Sequence, residues 1–147
     1  MRLYFDPSLL IAIYLPEART ASLRAWLDEL GLPIGVNVWQ ELEFRNSARQ
    51  KILRGEAAPG DLARTFRVFD DDCIAGRVVR RTVPWEAAFA EAERLSRKCA
   101  TDQSCRSFDL IHVAVAAISG LRDFATLDVG QAGLARAAGL TVIQLPD

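Results

Sequence analysis

Four acidic residues stand at positions where an alternating strand-and-helix protein could do chemistry. Asp6 follows a short apolar run near the start of the chain, and Asp128 follows a second one near its end. Asp109 opens an apolar helical segment, and Glu43 lies within a long one. Parallel sheets bind ligands beyond the carboxyl ends of their strands, which is where Asp6 and Asp128 would lie.

Carboxylates that gather at one place favour a divalent cation. Two such charges about 4 Å apart repel by about 4 kcal/mol at an effective dielectric constant of about 20, so the cluster needs a bound cation or raised pKa values. His112 is the only histidine and the cysteines are scattered, so the ligands would be oxygens, which select Mg²⁺ or Mn²⁺. Ions held in this way activate water against phosphodiesters, and a nuclease is the natural use.

Two of the acids have a structural explanation as helix caps. Asp6 precedes Pro7, and Asp128 lies three residues before Gln131. Both patterns are typical of the residue that caps a helix N-terminus. Taken alone, each of the two is better explained as a cap than as a ligand.

The other two acids are also ambiguous when taken singly. Asp109 would interact favourably with the dipole at the start of its helix. Glu43 competes with Glu41, because helical periodicity does not decide which of the two points inward. The residues alone leave this choice open.

The elements that must position these acids alternate along the chain. Five strands are predicted, over residues 2–5, 33–36, 77–83, 122–127 and 140–145. Seven helices are predicted, over residues 8–15, 18–30, 38–53, about 60–70, 84–99, 108–118 and 129–138. Alternating strands and helices predict an α/β protein whose central, mainly parallel sheet is covered on both faces.

Composition predicts one globular domain over residues 1–147 in a reducing compartment. Half of the residues are hydrophobic and a quarter are charged, which is typical of a globular protein. The three cysteines form no CxxC pair, so a disulfide framework or zinc site is not expected. No apolar run reaches membrane-spanning length. We therefore expect a cytoplasmic protein with no membrane partner.

Four segments of the chain together resemble the PIN-domain family, and within it the VapC-type ribonuclease toxins. The first two carry Asp6 and Glu43 and read LYFDPSLLIAIYLPE and VNVWQELEFRNSARQ. The other two carry Asp109 and Asp128 and read SFDLIHVAVAAISG and DFATLDVGQAGLARAAGLTVI. The chain departs from the family pattern at Asn37, where a small hydroxyl residue is usual.

The resemblance assigns one acid from each segment to the catalytic and metal-binding site. These are Asp6, Glu43, Asp109 and Asp128, for Mg²⁺ or Mn²⁺. It favours Glu43 over Glu41, and it implies that Ser8 and Thr126 support the site as polar neighbours.

The resemblance also implies a fold and a biological role. The fold is a three-layer α/β/α arrangement of PIN type. The implied activity is that of an endoribonuclease that hydrolyses RNA, forms a homodimer and is the toxin of a toxin–antitoxin pair with a cognate antitoxin. The alternative is a catalytically silent PIN-like module that binds protein or RNA, and metal affinity would discriminate between the two.

A second alternative is a phosphotransfer enzyme or a phosphorylated receiver domain, which also places an aspartate after its first strand. The phosphotransfer enzyme needs a second acid where this chain has Ser8. The receiver domain needs a lysine near the last strands, and the only lysines are Lys51 and Lys98. Both readings are therefore disfavoured.

Arginine dominates the basic residues, with sixteen among the eighteen. Arg45 and Arg49 follow Glu43 on the same predicted helix and are the candidates for contact with an RNA backbone. The alternative for both is an ordinary solvated helix charge. His112, one turn beyond Asp109, is interpreted as a hydrogen-bonded structural residue. The acidic run at residues 70–72 is interpreted as a solvated helix terminus.

Overall fold

The computed structural model describes residues 3–99 and 105–147, which contain five strands and seven helices. The strands are β1 (Leu3–Phe5), β2 (Ile34–Val36), β3 (Val78–Arg80), β4 (Asp123–Ala125) and β5 (Thr141–Val142). The helices are α1 (Pro7–Tyr14), α2 (Thr20–Leu30), α3 (Val38–Leu53), α4 (Pro59–Ile74), α5 (Trp85–Cys99), α6 (Ser107–Ile118) and α7 (Val129–Ala137).

These elements fall into two compact units. The first unit contains β1, α5, α6, β4, α7 and β5. The second unit contains α1, α2, β2, α3, α4 and β3, together with residues 145–147. All strand pairing in the described residues is parallel, as the alternation of strands and helices predicts.

The first unit is built on a three-stranded sheet in the order β1-β4-β5. Phe5 of β1 and Phe124 of β4 are fully buried, and full burial of such a side chain stabilises the folded state by about 1.5–3 kcal/mol. Helices α5 and α6 pack against each other. Residues 110–116 of α6 are buried without interruption, which confirms that this helix is enclosed on most of its surface.

The second unit pairs β2 with β3 and encloses α1, in which every residue except Ser8 is buried. Its core contains an aromatic cluster of Tyr14, Phe44 and Phe69. The ring centroids lie 4.8 Å apart for Phe44 and Phe69, and Tyr14 meets both rings edge-on at 5.8 and 5.3 Å. Such edge-to-face packing adds about 0.5–1.5 kcal/mol per pair beyond simple burial.

Helix α3 begins where the sequence predicts, and Asn37 explains why. The Asn37 side-chain oxygen accepts hydrogen bonds from the backbone N–H groups of Trp39 and Gln40, at 2.9 and 3.0 Å. The Gln40 side chain accepts from the backbone N–H of Asn37 in return, at 2.9 Å. This capping box satisfies the first amides of the helix. The departure from the family pattern at Asn37 therefore preserves a helix cap.

The strands are shorter than predicted because each extends only over the residues whose backbone pairs with a neighbouring strand. The predicted strand 77–83 is reduced to β3, whose partner β2 is confined between Pro33 and the cap at Asn37. The ladder ends when the Arg81 amide donates to the Val36 carbonyl at 2.7 Å. The predicted strand 140–145 is similarly reduced to β5. Residue 2 of the first predicted strand, and residues 100–104 between the predicted helices 84–99 and 108–118, lie outside the described residues.

Helix α4 runs past the predicted end at about residue 70 and includes the acidic run. The predicted solvated terminus is correct for the exposed Asp71 but wrong for Asp72, which is largely buried. Asp72 accepts a hydrogen bond from the Tyr14 hydroxyl at 2.8 Å and from Arg77 Nε at 2.7 Å. The helix ends at Ile74, and Gly76, whose φ of 74° lies in the left-handed region, follows its cap at Ala75.

The remaining polar and thiol residues behave as the sequence indicates. His112 is buried, and its Nδ1 atom lies 2.7 Å from the Tyr4 hydroxyl, which confirms the structural interpretation. Cys73, Cys99 and Cys105 form no disulfide. Among residues 3–99 and 105–147, no helix combines the length and apolar character needed to cross a bilayer.

We expect Tyr14→Phe to lower the free energy of unfolding by about 1.5–3 kcal/mol at pH 7, because Asp72 loses a buried donor. Burial, and then the hydrogen bond to Asp72, raise the pKa of Tyr14 above its ordinary value of 10.0. The stabilisation of the folded state by the protonated Tyr14 is therefore complete below pH 10. It declines as pH rises above 10, because the tyrosine of the unfolded chain then loses its proton.

Urea unfolding of both proteins at pH 7 and above pH 10 measures this effect. The difference between wild type and Tyr14→Phe should shrink at the higher pH. A difference that is independent of pH would contradict the assignment of Tyr14 as a buried neutral donor.

Candidate active site

The site begins at the buried carboxylate of Asp6, directly after β1. Only 4% of Asp6 is exposed, and its backbone amide continues the sheet by donating to the Ala125 carbonyl at 2.9 Å. Its side chain accepts a hydrogen bond from the Thr126 hydroxyl at 3.0 Å. Burial of a carboxylate is costly unless donors compensate it, so this bond stabilises both strand ends.

Thr126 joins the same carboxylate to a second acid. Its hydroxyl oxygen accepts a hydrogen bond from the backbone amide of Asp128 at 3.0 Å while its proton points to Asp6. Thr126, which the resemblance implies as a polar neighbour of the site, therefore makes one hydrogen bond to each of these two acids. It holds the carboxyl end of β4 against the carboxyl end of β1.

Asp128 caps helix α7, as the sequence pattern suggests. Its Oδ1 atom accepts from the Gln131 backbone amide at 2.8 Å. The carboxylate also lies at the positive end of the helix dipole, which stabilises its charge. This bond uses one of the two carboxylate oxygens, so a cap and a ligand are compatible roles for the residue.

Gln131 connects Asp128 to the third acid of this unit. Its side-chain Nε2 donates to the backbone carbonyl of Asp109 at 3.3 Å, which ties the start of α7 to the start of α6. Asp109 itself accepts a hydrogen bond from Arg106 Nε at 3.0 Å. Hydrogen bonds therefore run without interruption from Asp6 to Asp109.

Three of the four predicted acids, Asp6, Asp109 and Asp128, thus belong to the first unit and are connected through hydrogen bonds that use the backbone of Asp128 and of Asp109. The sequence indicates Gln131 only as a neighbour of the Asp128 cap and does not indicate it as a member of the site. Its spacing three residues after Asp128 was the available signal. Arg106 was also missed, although it lies three residues before Asp109 on the same helical turn.

A buried oxygen at the centre of this arrangement has no partner. Gln131 is 2% exposed, and its Oε1 atom makes no hydrogen bond within the described residues. A buried acceptor left without a partner typically costs about 1–3 kcal/mol. Carboxylates, a threonine hydroxyl and an amide carbonyl form an all-oxygen donor set, which is chemically suited to Mg²⁺ or Mn²⁺.

The donors do not converge on a single point in this conformation. Across residues 3–99 and 105–147, no three side chains of aspartate, glutamate, histidine or cysteine are arranged to hold one ion. One oxygen of Asp128 caps α7, and one oxygen of Asp109 pairs with Arg106. Arg106 is 76% exposed, so its ion pair is open to competition from solvent and ions.

Glu43 and Ser8, the other predicted site residues, belong to the second unit. Glu43 is half-buried on α3, and Ser8 is half-buried in the first turn of α1. Glu41, the rival of Glu43, accepts hydrogen bonds from Arg80 at 2.9 and 3.1 Å and from Arg45 at 3.1 Å. These bonds, with Arg80 dominant, lower the pKa of Glu41.

Arg45 and Arg49, the predicted RNA contacts, both face the second unit's own residues. Arg45 bridges Glu41 and Asp70, and its guanidinium lies 4.9 Å from the Phe66 ring centroid. Arg49 lies over the same ring at 5.1 Å. The contacts of Arg45 are sufficient to explain it structurally, and an RNA contact for either arginine stays a prediction.

Comparison with solved structures shows the fold. The chain is similar to a chain in the crystal structure of FitAcB from Neisseria gonorrhoeae, with 18% identity, a TM-score of 0.61 and coverage of 97% of this chain and 96% of the other. It is also similar to a chain in the structure of FitAB bound to an IR36 DNA fragment, with 19% identity, a TM-score of 0.56 and coverage of 96% and 93%.

These similarities extend over nearly the whole chain and confirm the α/β fold of PIN type that the resemblance predicts. The sequence matches no protein-family model. No curated protein matches it significantly. At this level of identity the comparison establishes the architecture, and the chemistry must be argued from the residues.

We expect Thr126→Val to lower the free energy of unfolding by about 1–3 kcal/mol, because Asp6 loses a donor and the Asp128 amide loses an acceptor. Thr126→Ser is the matched control, since it keeps the hydroxyl and removes only a methyl group. Denaturant unfolding at pH 7 measures both. A valine variant as stable as the serine variant would contradict the bridging role of the hydroxyl.

Proposed function

We propose that this protein is a Mg²⁺- or Mn²⁺-dependent endoribonuclease and the toxin of a toxin–antitoxin pair. The observation that carries the proposal is the continuous series of hydrogen bonds that links Asp6, Thr126, Asp128 and Asp109 in the first unit. It connects two acids that follow β1 and β4, the usual ligand position in such folds, to a third acid in the first turn of α6.

Asp6, Asp109 and Asp128 would hold the ion, and the family resemblance adds Glu43 as the fourth acid. The unpartnered Gln131 Oε1 supports an oxygen-liganded cation at this place. When bound, the ion supplies polarisation of a water molecule and neutralisation of the phosphate charge. Hydrolysis then places the water oxygen on phosphorus and breaks the bond to the leaving ribose oxygen.

The protein's own residues hold and orient the acids. The Thr126 hydroxyl fixes one oxygen of Asp6, and the cap at Asp128 fixes the direction of its carboxylate. Arg106 compensates the Asp109 charge in the conformation described here. With a cation bound, Asp109 would serve as a ligand to it, and Arg106 would be available to the RNA backbone.

The role as a toxin rests on structural likeness. The two similar structures are of FitAcB and of FitAB bound to a DNA fragment, and their shared fold supports the sequence resemblance of this chain to VapC-type toxins. We infer by analogy that this chain binds a cognate antitoxin and acts as a homodimer in the cytoplasm. The absence of a disulfide among Cys73, Cys99 and Cys105, all of which lie in the described residues, is compatible with that reducing compartment.

A silent PIN-like binding module is the second candidate, and one observation favours it. The Arg106–Asp109 ion pair compensates an acid that a metal-dependent enzyme would need for its cation. A module that never binds metal would keep this ion pair permanently. Metal binding and cleavage by the purified protein decide between the two.

We expect the purified protein to cleave labelled RNA in Mn²⁺ or Mg²⁺ and not in EDTA. Asp6→Asn should lower the rate roughly a hundredfold, because it removes one ligand charge from the site. Asp123→Asn, at the opposite end of β4, is the matched control and should retain full activity. Equal activity in wild type and Asp6→Asn, or none with either metal, would favour the binding module.

Glu43→Gln and Glu41→Gln should separate the two acids of α3. Glu43→Gln is expected to lower cleavage roughly tenfold to a hundredfold with little change in stability. Glu41→Gln should leave cleavage unchanged but destabilise the fold at pH 7, because Arg80 and Arg45 lose their acceptor. Loss of activity in Glu41→Gln alone would reverse the assignment.

Acid titration provides a second readout for Glu41. Because its pKa is lowered in the folded protein, its stabilising contribution is present above its ordinary value of 4.5 and is lost as pH falls below it. The stability difference between wild type and Glu41→Gln should therefore vanish in acid. Urea unfolding between pH 7 and pH 3 tests this.

A further inference from the structure

Arg81 occupies a space that only a glycine leaves open. Its side chain lies across Gly35 of β2, and a Cβ atom at Gly35 would come within 2.5 Å of Arg81 Nε and 3.1 Å of its Cδ. Gly35 sits between Ile34 and Val36, both of which are buried, so it faces the opposite side of the sheet. The backbone of β2 therefore cradles the arginine.

Arg81 is exposed, and its charge is not compensated. It makes no ion pair or hydrogen bond through its guanidinium with any of the described residues. The neighbouring arginines differ, because Arg80 pairs with Glu41, and Arg45 pairs with both Glu41 and Asp70. Two arginines and two acids thus balance each other, and Arg81 remains as excess positive charge.

This charge stands where the β2–β3 pair ends. The Arg81 amide donates the last hydrogen bond of the ladder, to the Val36 carbonyl, and Asn37 begins the cap of α3 directly beyond it. The carboxyl end of a parallel strand pair is the position at which α/β proteins bind their ligands. The arginine is therefore placed at a ligand-facing edge of the second unit's own sheet.

We propose that Arg81, seated on Gly35, is a backbone-phosphate contact for the RNA substrate. This inference rests on the proposed ribonuclease function and adds a residue that positions the substrate. A guanidinium offers a planar set of donors to a phosphate. Because the Gly35 cradle already restricts the side chain, less conformational freedom is lost when RNA binds.

Two substitutions test the proposal from opposite sides of the contact. Arg81→Gln removes the charge, and Gly35→Ala keeps the charge but displaces the side chain. Gly35 has no left-handed φ, and the atom that must move belongs to a flexible side chain, so Gly35→Ala should fold normally. Gly60→Ala and Arg67→Gln on α4 are the controls, because a Cβ at Gly60 meets nothing within 4 Å and Arg67 is exposed.

The measurement is the affinity for a labelled single-stranded RNA in EDTA, where no cleavage occurs, over a range of salt concentrations. Arg81→Gln should weaken binding about tenfold at low salt and reduce the slope of log affinity against log salt by about 0.7. Gly35→Ala should weaken binding as well. The double variant should bind no more weakly than Arg81→Gln, and the two controls should bind like wild type.

The outcomes separate this inference from the proposed function. Wild-type affinity in Arg81→Gln, or a further loss of affinity in the double variant, overturns the contact even when the protein cleaves RNA. Binding that follows the expected pattern in a protein that never cleaves RNA with metal supports the contact and overturns the nuclease. Absence of RNA binding by wild type overturns the contact outright.

Discussion

The first unit depends on one buried negative charge. The desolvation of an ionised carboxylate costs several kcal/mol unless donors compensate it, and Asp6 is almost completely enclosed. The Thr126 hydroxyl is one such donor, and it comes from the strand that pairs with the strand of Asp6. The compensation of this charge therefore requires the β1–β4 pairing, and the same pairing delivers Asp128 to the carboxylate's neighbourhood.

Structural and chemical roles are combined in the same side chains. Asp128 is a helix cap, as its local sequence indicates, and its backbone amide is also linked to Asp6 through the Thr126 hydroxyl by two hydrogen bonds of 3.0 Å. A cap uses one oxygen of a carboxylate, so the residue can serve both roles. Gln131 also combines two roles. Its backbone amide donates to the Asp128 cap, and its side-chain Nε2 donates to the Asp109 carbonyl. Its Oε1 atom makes no hydrogen bond within the described residues.

Arginine pairing shapes the charge of the second unit. Glu41 with Arg80, and Asp70 with Arg45, link α3 to β3 and α4, and Phe66 and Phe69 stack beneath the Arg45 guanidinium. Such bidentate and stacked arginines are held in place more firmly than isolated surface ion pairs. An abundance of arginine in a sequence is therefore a poor guide to nucleic-acid contact, since seven of the sixteen arginines pair with acids among the described residues.

The sequence by itself determined the elements and the placement of the acids along them. Helical periodicity set α3 from Val38 to Leu53, and the spacing of Asp128 and Gln131 set a cap, because both signals arise within a few residues. Only the tertiary structure decided which partners these residues have. Asp6 and Thr126 are 120 residues apart, Glu41 and Arg80 are 39 apart, and Arg81 reaches Gly35 from the residue that follows β3. Periodicity along the chain indicates the face of a helix or strand on which a side chain lies. The pairing of distant strands decides which residues that side chain contacts.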